Sequence, residues 1–366
     1  MSYRGGYRTG YRGFTATGNT GGGGARPAWA TRWGAALDGR AAAPATIVML
    51  GDSVTEGQSS TAVVERWPNK AAASLRAAYP TPGVVGGSGY WASRYYVYNP
   101  ATWGAPHPLP ASVTGTVSYP TDRGNLGYRT AQLNAGASWT ASVTGSSVDV
   151  HYEAGGGSFT VQVDGGGATA AQSATSAGRY RVTFGTTGAH TVRINAVSTF
   201  RLSGIMVYNG DETKGLRFYE AGHSGFTTAN HLADVANVMT ELDRVAPDLV
   251  TVFLGLNEYP NTTPAVFQAN LTSLMTQVQG RAKVPSILII ASYTPGWSGA
   301  TVAGWAPYVA AMQAVATAKG CGLLDLSAVM PQATTSGTGF YNADALHPNN
   351  SGMTEVARLV TAKLSV

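Results

Sequence analysis

The sequence predicts an α/β protein, a parallel sheet flanked by helices, whose chain is interrupted after its first long helix by an inserted antiparallel β-sandwich. Three observations predict it. The first is a set of short, almost wholly apolar runs that each stop at small or polar residues: "TIVML", "GLRFYEAG", "DLVTVFLG", "SILIIASY" and "GLLDLS". Apolar runs without alternation suit strands covered on both faces. The second is that helical stretches such as "HLADVANVMTELDRV" and "VARLVTAKL" lie among and after these runs. Strands alternating with helices imply a parallel sheet with right-handed crossovers. The third is a change of texture between about residues 97 and 210, where "SVDVHYEA", "SFTVQVDGGG", "RYRVTFGTTGAHTVRINA" and "TFRLSGIMVYN" alternate apolar with polar between Gly-rich turns. That pattern reads as an antiparallel sandwich.

The elements follow in order. Residues 1–40 are expected to form a tail, since Tyr-Arg-x-Gly repeats loosely from Tyr3, Tyr7 and Tyr11 and leads into "GNTGGGG". Such a segment buries too little to order itself. The run "TIVML" then drives into Gly51-Asp52-Ser53, which would display Ser53 at the edge of the sheet where open α/β folds place ligands. In "ERWPNKAAASLRAAY", Trp67, Ala71, Leu75 and Ala78 recur at helical spacing. The sandwich follows over residues 97–210, and the chain re-enters the α/β unit at "GLRFYEAG".

Composition narrows the function. The 366 residues carry a net charge of +5, but residues 1–40 hold six arginines against Asp38, so the charge lies in the tail and the body is neutral. A neutral body argues against a nucleic-acid groove. The single Cys321 permits no internal disulfide, and the six scattered histidines suggest no metal centre, so no cofactor is expected. There is no apolar run long enough to span a membrane and no apolar core of a secretory signal in "MSYRGGYRTGYRGF". An extracellular or virion-associated location, reached by another route, is the expectation.

Four blocks remain once the insertion is set aside: "GDSVTEG", "AGHSGFTT", "FLGLNEYP" and "DALHP". In this order they resemble the SGNH, or GDSL-type, serine hydrolase family, over roughly residues 45–95 and 211–366. The resemblance implies a flavodoxin-like hydrolase domain built from residues 41–96 and 211–366. It also implies a catalytic set of Ser53, Asp344 and His347. A serine hydroxyl needs a base to become nucleophilic, and a carboxylate three residues before an imidazole can hold one ring nitrogen. By the same resemblance the oxyanion donors are the Ser53 N–H, the Gly225 N–H and the Asn257 side chain, with Gly222 as the alternative register for the second. Two positions depart from the pattern. Glu258 stands where Asp is common, and His223 is extra, with a structural or substrate-contact role expected.

The resemblance makes the expected reaction hydrolysis of short acyl esters, O-acetyl groups on a glycan in particular, because the sandwich resembles the β-domains of carbohydrate-active members. Trp91, Trp103, Trp139 and Tyr95 are candidate sugar-stacking faces, with core packing an equal alternative for each. The alternative is a structural or receptor-binding protein of a phage tail, with or without this activity, whose basic tail docks into an assembly partner. The charged content of only 12% fits that alternative too.

Overall fold

The structure, a computed structural model, describes residues 25–94, 111–120, 125–297, 299, 301–334 and 339–366. Tyr95, Trp103 and residues 1–24 lie outside the described residues.

Five parallel strands form the first sheet. β1 (Pro44–Gly51) lies between β11 (Gly215–Gly222) and β12 (Leu249–Phe253), and β13 (Ser286–Ala291) and β14 (Gly322–Asp325) continue outward from β12. This is the doubly wound order in which the first strand sits between the second and third, and the ligand crevice of such sheets opens at the C-terminal ends of those strands. The register makes the three ends level, because Gly51 pairs with both Gly222 and Phe253. Ile47, Val48, Met49 and Leu50 are fully buried, as a strand covered by helices on both faces must be.

Helices cover the sheet. α1 (Thr31–Gly39) is followed by the single turn α2 (Ser53–Glu56) and by α3 (Trp67–Ala78), which buries Trp67, Ala71 and Leu75 as the spacing predicts. The second half supplies α4 (Thr228–Ala233), α5 (Val235–Val245), α6 (Pro264–Gln279), α7 (Trp305–Lys319) and α8 (Asn350–Leu364). α1 falls within the residues expected to form a tail, yet Trp33 and Leu37 lie in the α/β core. Trp33 donates from Nε1 to the Leu364 carbonyl at 2.9 Å. Two apolar residues four apart anchor this turn although arginine dominates the composition around them. Among the described residues no helix is long and apolar enough to cross a membrane.

The inserted strands are β2 (Gly89–Ala92), β3 (Ala111–Thr114), β4 (Val117–Ser118), β5 (Ala131–Leu133), β6 (Ser138–Tyr152), β7 (Ser158–Val163), β8 (Gln172–Ser173), β9 (Gly178–Ser198) and β10 (Phe200–Tyr208). Among the described residues they pair antiparallel as one sheet of nine strands, in the order β4-β5-β10-β6-β9-β7-β8, with β2 on β10 and β3 on β6. The alternation suggested two stacked sheets; the hydrogen bonds describe one. The reason is that β6 and β9 are 15 and 21 residues long and stay paired on both sides of a register shift at Gly145/Ser147, so two halves remain continuous. β2 also brings the antiparallel pairing upstream of residue 97. Four residues are too few to display a period.

Of the aromatics left open between sugar face and core, Trp91 and Trp139 are core residues. Trp139 is 1% exposed and donates from Nε1 to the Ser93 carbonyl at 3.1 Å, and Trp91 packs into the same apolar cluster with Phe159, Ile194 and Phe200. Outward alternation on a strand could not reveal which face is covered. Trp139→Ala should therefore act on stability, lowering the unfolding free energy by about 3–5 kcal/mol in a denaturant titration. A loss below 1 kcal/mol would contradict the packing role.

Candidate active site

β1 delivers the nucleophile through a forced turn. A Cβ on Gly51 would stand 2.0 Å from Thr55 Oγ1 and 3.0 Å from the Phe253 carbonyl, so the strand can end this tightly only at glycine. Asp52 caps the turn that follows, its Oδ1 accepting the Val54 N–H at 2.9 Å. Gly57, at φ 95°, ends it. The turn leaves Ser53 facing a cavity of about 650 Å³ at the C-terminal edge of the sheet. Asp52 itself is fully buried, and burial, reinforced by the nearby Glu258 charge and only partly offset by the Val54 N–H, pushes its carboxyl up to about 8.

Ser53, His347 and Asp344 form one hydrogen-bonded chain. Ser53 Oγ lies 2.8 Å from His347 Nε2, and His347 Nδ1 lies 2.7 Å from Asp344 Oδ2. The carboxylate requires the proton on Nδ1, which leaves Nε2 to accept from the serine hydroxyl. Asp344 Oδ1 also accepts the backbone N–H groups of Leu346 and His347 at 3.0 and 2.9 Å. Partial burial would raise the Asp344 carboxyl, but the His347 ring and these two amides hold it below its ordinary value. The histidine is thus placed by the same short turn that supplies its carboxylate, immediately before Asn349 caps α8.

Ser53 and Gly225 line the same cavity. The N–H groups of Ser53 and Gly225 have no hydrogen-bond partner among the described residues, whereas the N–H of the residue next to each is held by a buried carboxyl oxygen. Val54 bonds to Asp52 and Ser224 to Glu56 Oε2 at 2.7 Å. Gly225 adopts φ 80°, which favours glycine, and lines the cavity. Gly222 does not line it and serves packing instead, since a Cβ there would stand 2.3 Å from the Glu56 nitrogen. Asn257 lines the cavity from the loop after β12, and its Nδ2 donates to the Phe226 carbonyl at 2.9 Å, which leaves the second amide hydrogen for a ligand.

The two departures have structural accounts. Glu258 is 1% exposed and its Oε1 accepts the Thr228 N–H at 2.5 Å, so it ties the Asn257 loop to the N-terminus of α4. Its carboxyl is raised by burial, with the Thr228 hydrogen bonds opposing. His223 Nδ1 donates to the Gly127 carbonyl at 2.6 Å, and its ring stacks on Phe226 with centroids 3.7 Å apart. Burial pushes it down to about 3, so it is a neutral spacer.

Tyr128, Phe226, Trp297 and Leu346 supply apolar lining that the sequence reading missed. Trp297 is findable in principle, because "SYTPGW" follows a buried strand at the same edge as the other blocks. Tyr128 comes from the inserted segment, and no local pattern in "NLGYRT" marks it.

Comparisons with known proteins address the family and the fold. The model of the GDSL-like lipase/acylhydrolase family matches residues 154–354, a span that includes Gly225, Asn257, Asp344 and His347, with Ser53 lying upstream across the inserted strands. A solved structure described as a peptidoglycan O-acetylesterase in action is similar over 92% of this chain and 94% of its own, at 17% identity and a TM-score of 0.67. A family two carbohydrate esterase from Clostridium thermocellum, in complex with cellohexaose, covers 69% of this chain and 97% of its own at 12% identity and a TM-score of 0.33. A two-domain esterase active on acetylated mannans covers 92% of this chain and 52% of its own at 12% identity and a TM-score of 0.46. No curated protein sequence matches the chain. With a family model spanning more than half its length, the chain belongs to the GDSL-like lipase/acylhydrolase family and is an SGNH-type carboxylic ester hydrolase.

Proposed function

We propose that the protein removes short acyl groups, O-acetyl groups of a glycan above all, through an acyl-enzyme on Ser53. The observation that carries this reading is the continuous chain from Ser53 Oγ through His347 to Asp344, beside two unclaimed N–H groups in one cavity. Ser53 Oγ attacks the ester carbonyl as His347 Nε2 takes its proton. The carbonyl oxygen becomes negative and accepts from the Ser53 and Gly225 N–H groups and Asn257 Nδ2. Collapse breaks the bond to the sugar oxygen, which leaves with the proton from His347. Water then attacks the acyl-enzyme, again giving its proton to His347, and releases the carboxylic acid and free Ser53. Asp344 orients the imidazole and stabilises its charged form throughout.

Support for a glycan comes from two sides. The architecture shared with the peptidoglycan O-acetylesterase extends across nearly the whole chain, inserted sheet included. Trp297 stands 46% exposed at the cavity, an aromatic face that a sugar ring can cover. Released acid should be measured from an acetylated glycan and from acetyl, butyryl and octanoyl esters of one small alcohol, with acetyl preferred over octanoyl. Trp297→Ala should raise KM for the glycan by about tenfold, the equivalent of about 1.4 kcal/mol, and leave the small acetyl ester nearly unchanged. Equal losses on both would remove the sugar contact from the reading, and octanoyl preference would remove the short acyl group. The phage-tail alternative, suggested by the low charged content and the Tyr/Arg/Gly segment, gains no support from the comparisons, and residues 1–24 lie outside the described residues.

A further inference from the structure

The loop carrying Gly225 begins where β11 ends, and two buried carboxylates hold its alternate amides. Glu220 Oε1 accepts the Gly222 N–H at 2.6 Å, and Glu56 Oε2 accepts the Ser224 N–H at 2.7 Å. Between them the His223 N–H bonds to the Gly51 carbonyl at 3.0 Å. Two arginines answer these charges. Arg66 Nη1 lies 3.1 Å from Glu220 Oε2, while Arg129 Nη1 lies 3.0 Å from the same oxygen and 3.8 Å from Glu56 Oε1. Arg129 Nη2 also donates to the Glu220 carbonyl at 3.0 Å. All four side chains are 5% exposed or less, and their formal charges cancel.

Arg66 belongs to the catalytic unit. Arg129 does not: it follows the short 3-10 turn Leu126–Tyr128 within the inserted segment. The same turn presents the Gly127 carbonyl to His223 Nδ1, and Tyr128 donates its hydroxyl to the His231 carbonyl at 3.1 Å. The inserted unit thus grips the Gly225 loop and the helix α4 that follows it.

We propose that Arg129 is a positioning residue for the Gly225 oxyanion donor, acting through Glu56 and Glu220, so that the inserted sheet completes the catalytic unit. The proposal rests on the reading of Gly225 as that donor. Without Arg129, Glu56 and Glu220 would lose a cation packed against both, and a buried charge with less compensation recruits water or moves toward it. Either response releases the Gly222 and Ser224 amides. Gly225 has no side chain to fix its peptide, so the direction of its N–H is inherited from these two anchors. Donors of this kind act only over about 2.7–3.1 Å from the developing oxyanion, so a small displacement removes much of their effect.

The test compares Arg129→Met, Arg129→Lys and Glu56→Gln with the unsubstituted protein on a small acetyl ester. Competent sites are counted by end-point titration with a phosphonate that labels Ser53, and rates are expressed per titrated site. Affinity for a short alkylboronic acid, whose tetrahedral adduct carries the oxyanion, is measured alongside. Per-site kcat should fall by about 10–100-fold in Arg129→Met and Glu56→Gln, boronic-acid affinity should fall in parallel, and KM should change by less than about threefold. Arg129→Lys should recover part of the loss. Per-site kcat within about twofold of the unsubstituted protein, whatever the melting temperature, would reduce the quartet to a structural staple and overturn the proposal. Loss of all titratable sites in every variant, isosteric Glu56→Gln included, would overturn it as well. Failure of the underlying reading would look different, as activity that survives Ser53→Ala, and would overturn both.

Discussion

Ser53→Ala is expected to abolish ester hydrolysis, with kcat lower by about 10⁶, and His347→Ala to come close to the same loss, because nucleophile and base act as a unit. Removing Oγ takes away the hydroxyl that His347 Nε2 holds at 2.8 Å, although the Gly225 N–H and the Asn257 amide are still present. Removing the imidazole leaves a hydroxyl that is too weakly nucleophilic at neutral pH. Acid release from a small acetyl ester measures both. Combining the two substitutions should add little to either alone, the signature of groups that work through one proton path. Mass analysis of the rapidly quenched protein should find one acetyl group on Ser53 and none in Ser53→Ala. Undiminished turnover in Ser53→Ala would sink the mechanism.

The parts of the site that were legible in the sequence are those whose chemistry is local. Ser53 could be read because "TIVML" must be a covered strand and must therefore deliver the next residues to the sheet edge. Asp344 and His347 could be read because the block "DALHP" resembles the family's, and three residues suffice to close a carboxylate onto an imidazole, the 2.7 Å contact being made within that single turn. Glu258 was visible as a departure, but its purpose was not, since the Thr228 N–H it accepts lies 30 residues away in sequence.

What escaped was set by contacts between distant segments. Arg129 reaches Glu220 across 91 residues, and nothing near "GYRT" distinguishes that arginine from a solvated one. Trp139 stayed open between a sugar face and the core for the same reason. Its strand alternates as a half-buried strand should, and only pairing decides which face meets Phe159 and Phe200. The continuity of the nine-stranded sheet depends on β6 and β9 holding their pairing through a shift, and residue alternation is blind to that. α1 was hidden by composition, as two buried side chains among arginines and glycines leave little periodic signal.

Asp344→Asn should lower kcat by about 10⁴ while leaving the fold and the Ser53 position intact. Asparagine keeps an oxygen where Oδ1 now accepts the Leu346 and His347 amides, so the turn that carries the histidine survives. The other position becomes an NH2 donor facing His347 Nδ1. The imidazole can meet that donor only by giving Nδ1 its lone pair, which moves the proton to Nε2, the atom 2.8 Å from Ser53 Oγ. A protonated Nε2 cannot take the serine proton, so the loss should appear in kcat far more than in KM. Asp344→Ala should lose the turn as well as the tautomer and should lower the melting temperature, which Asp344→Asn should hardly move. The Asp344 side chain is 41% exposed, so water competes for its role, and the measured ratio between the two variants reads how far it does. A loss below about tenfold in Asp344→Asn would mean that the carboxylate only shapes the turn and that solvent can orient His347 in its place.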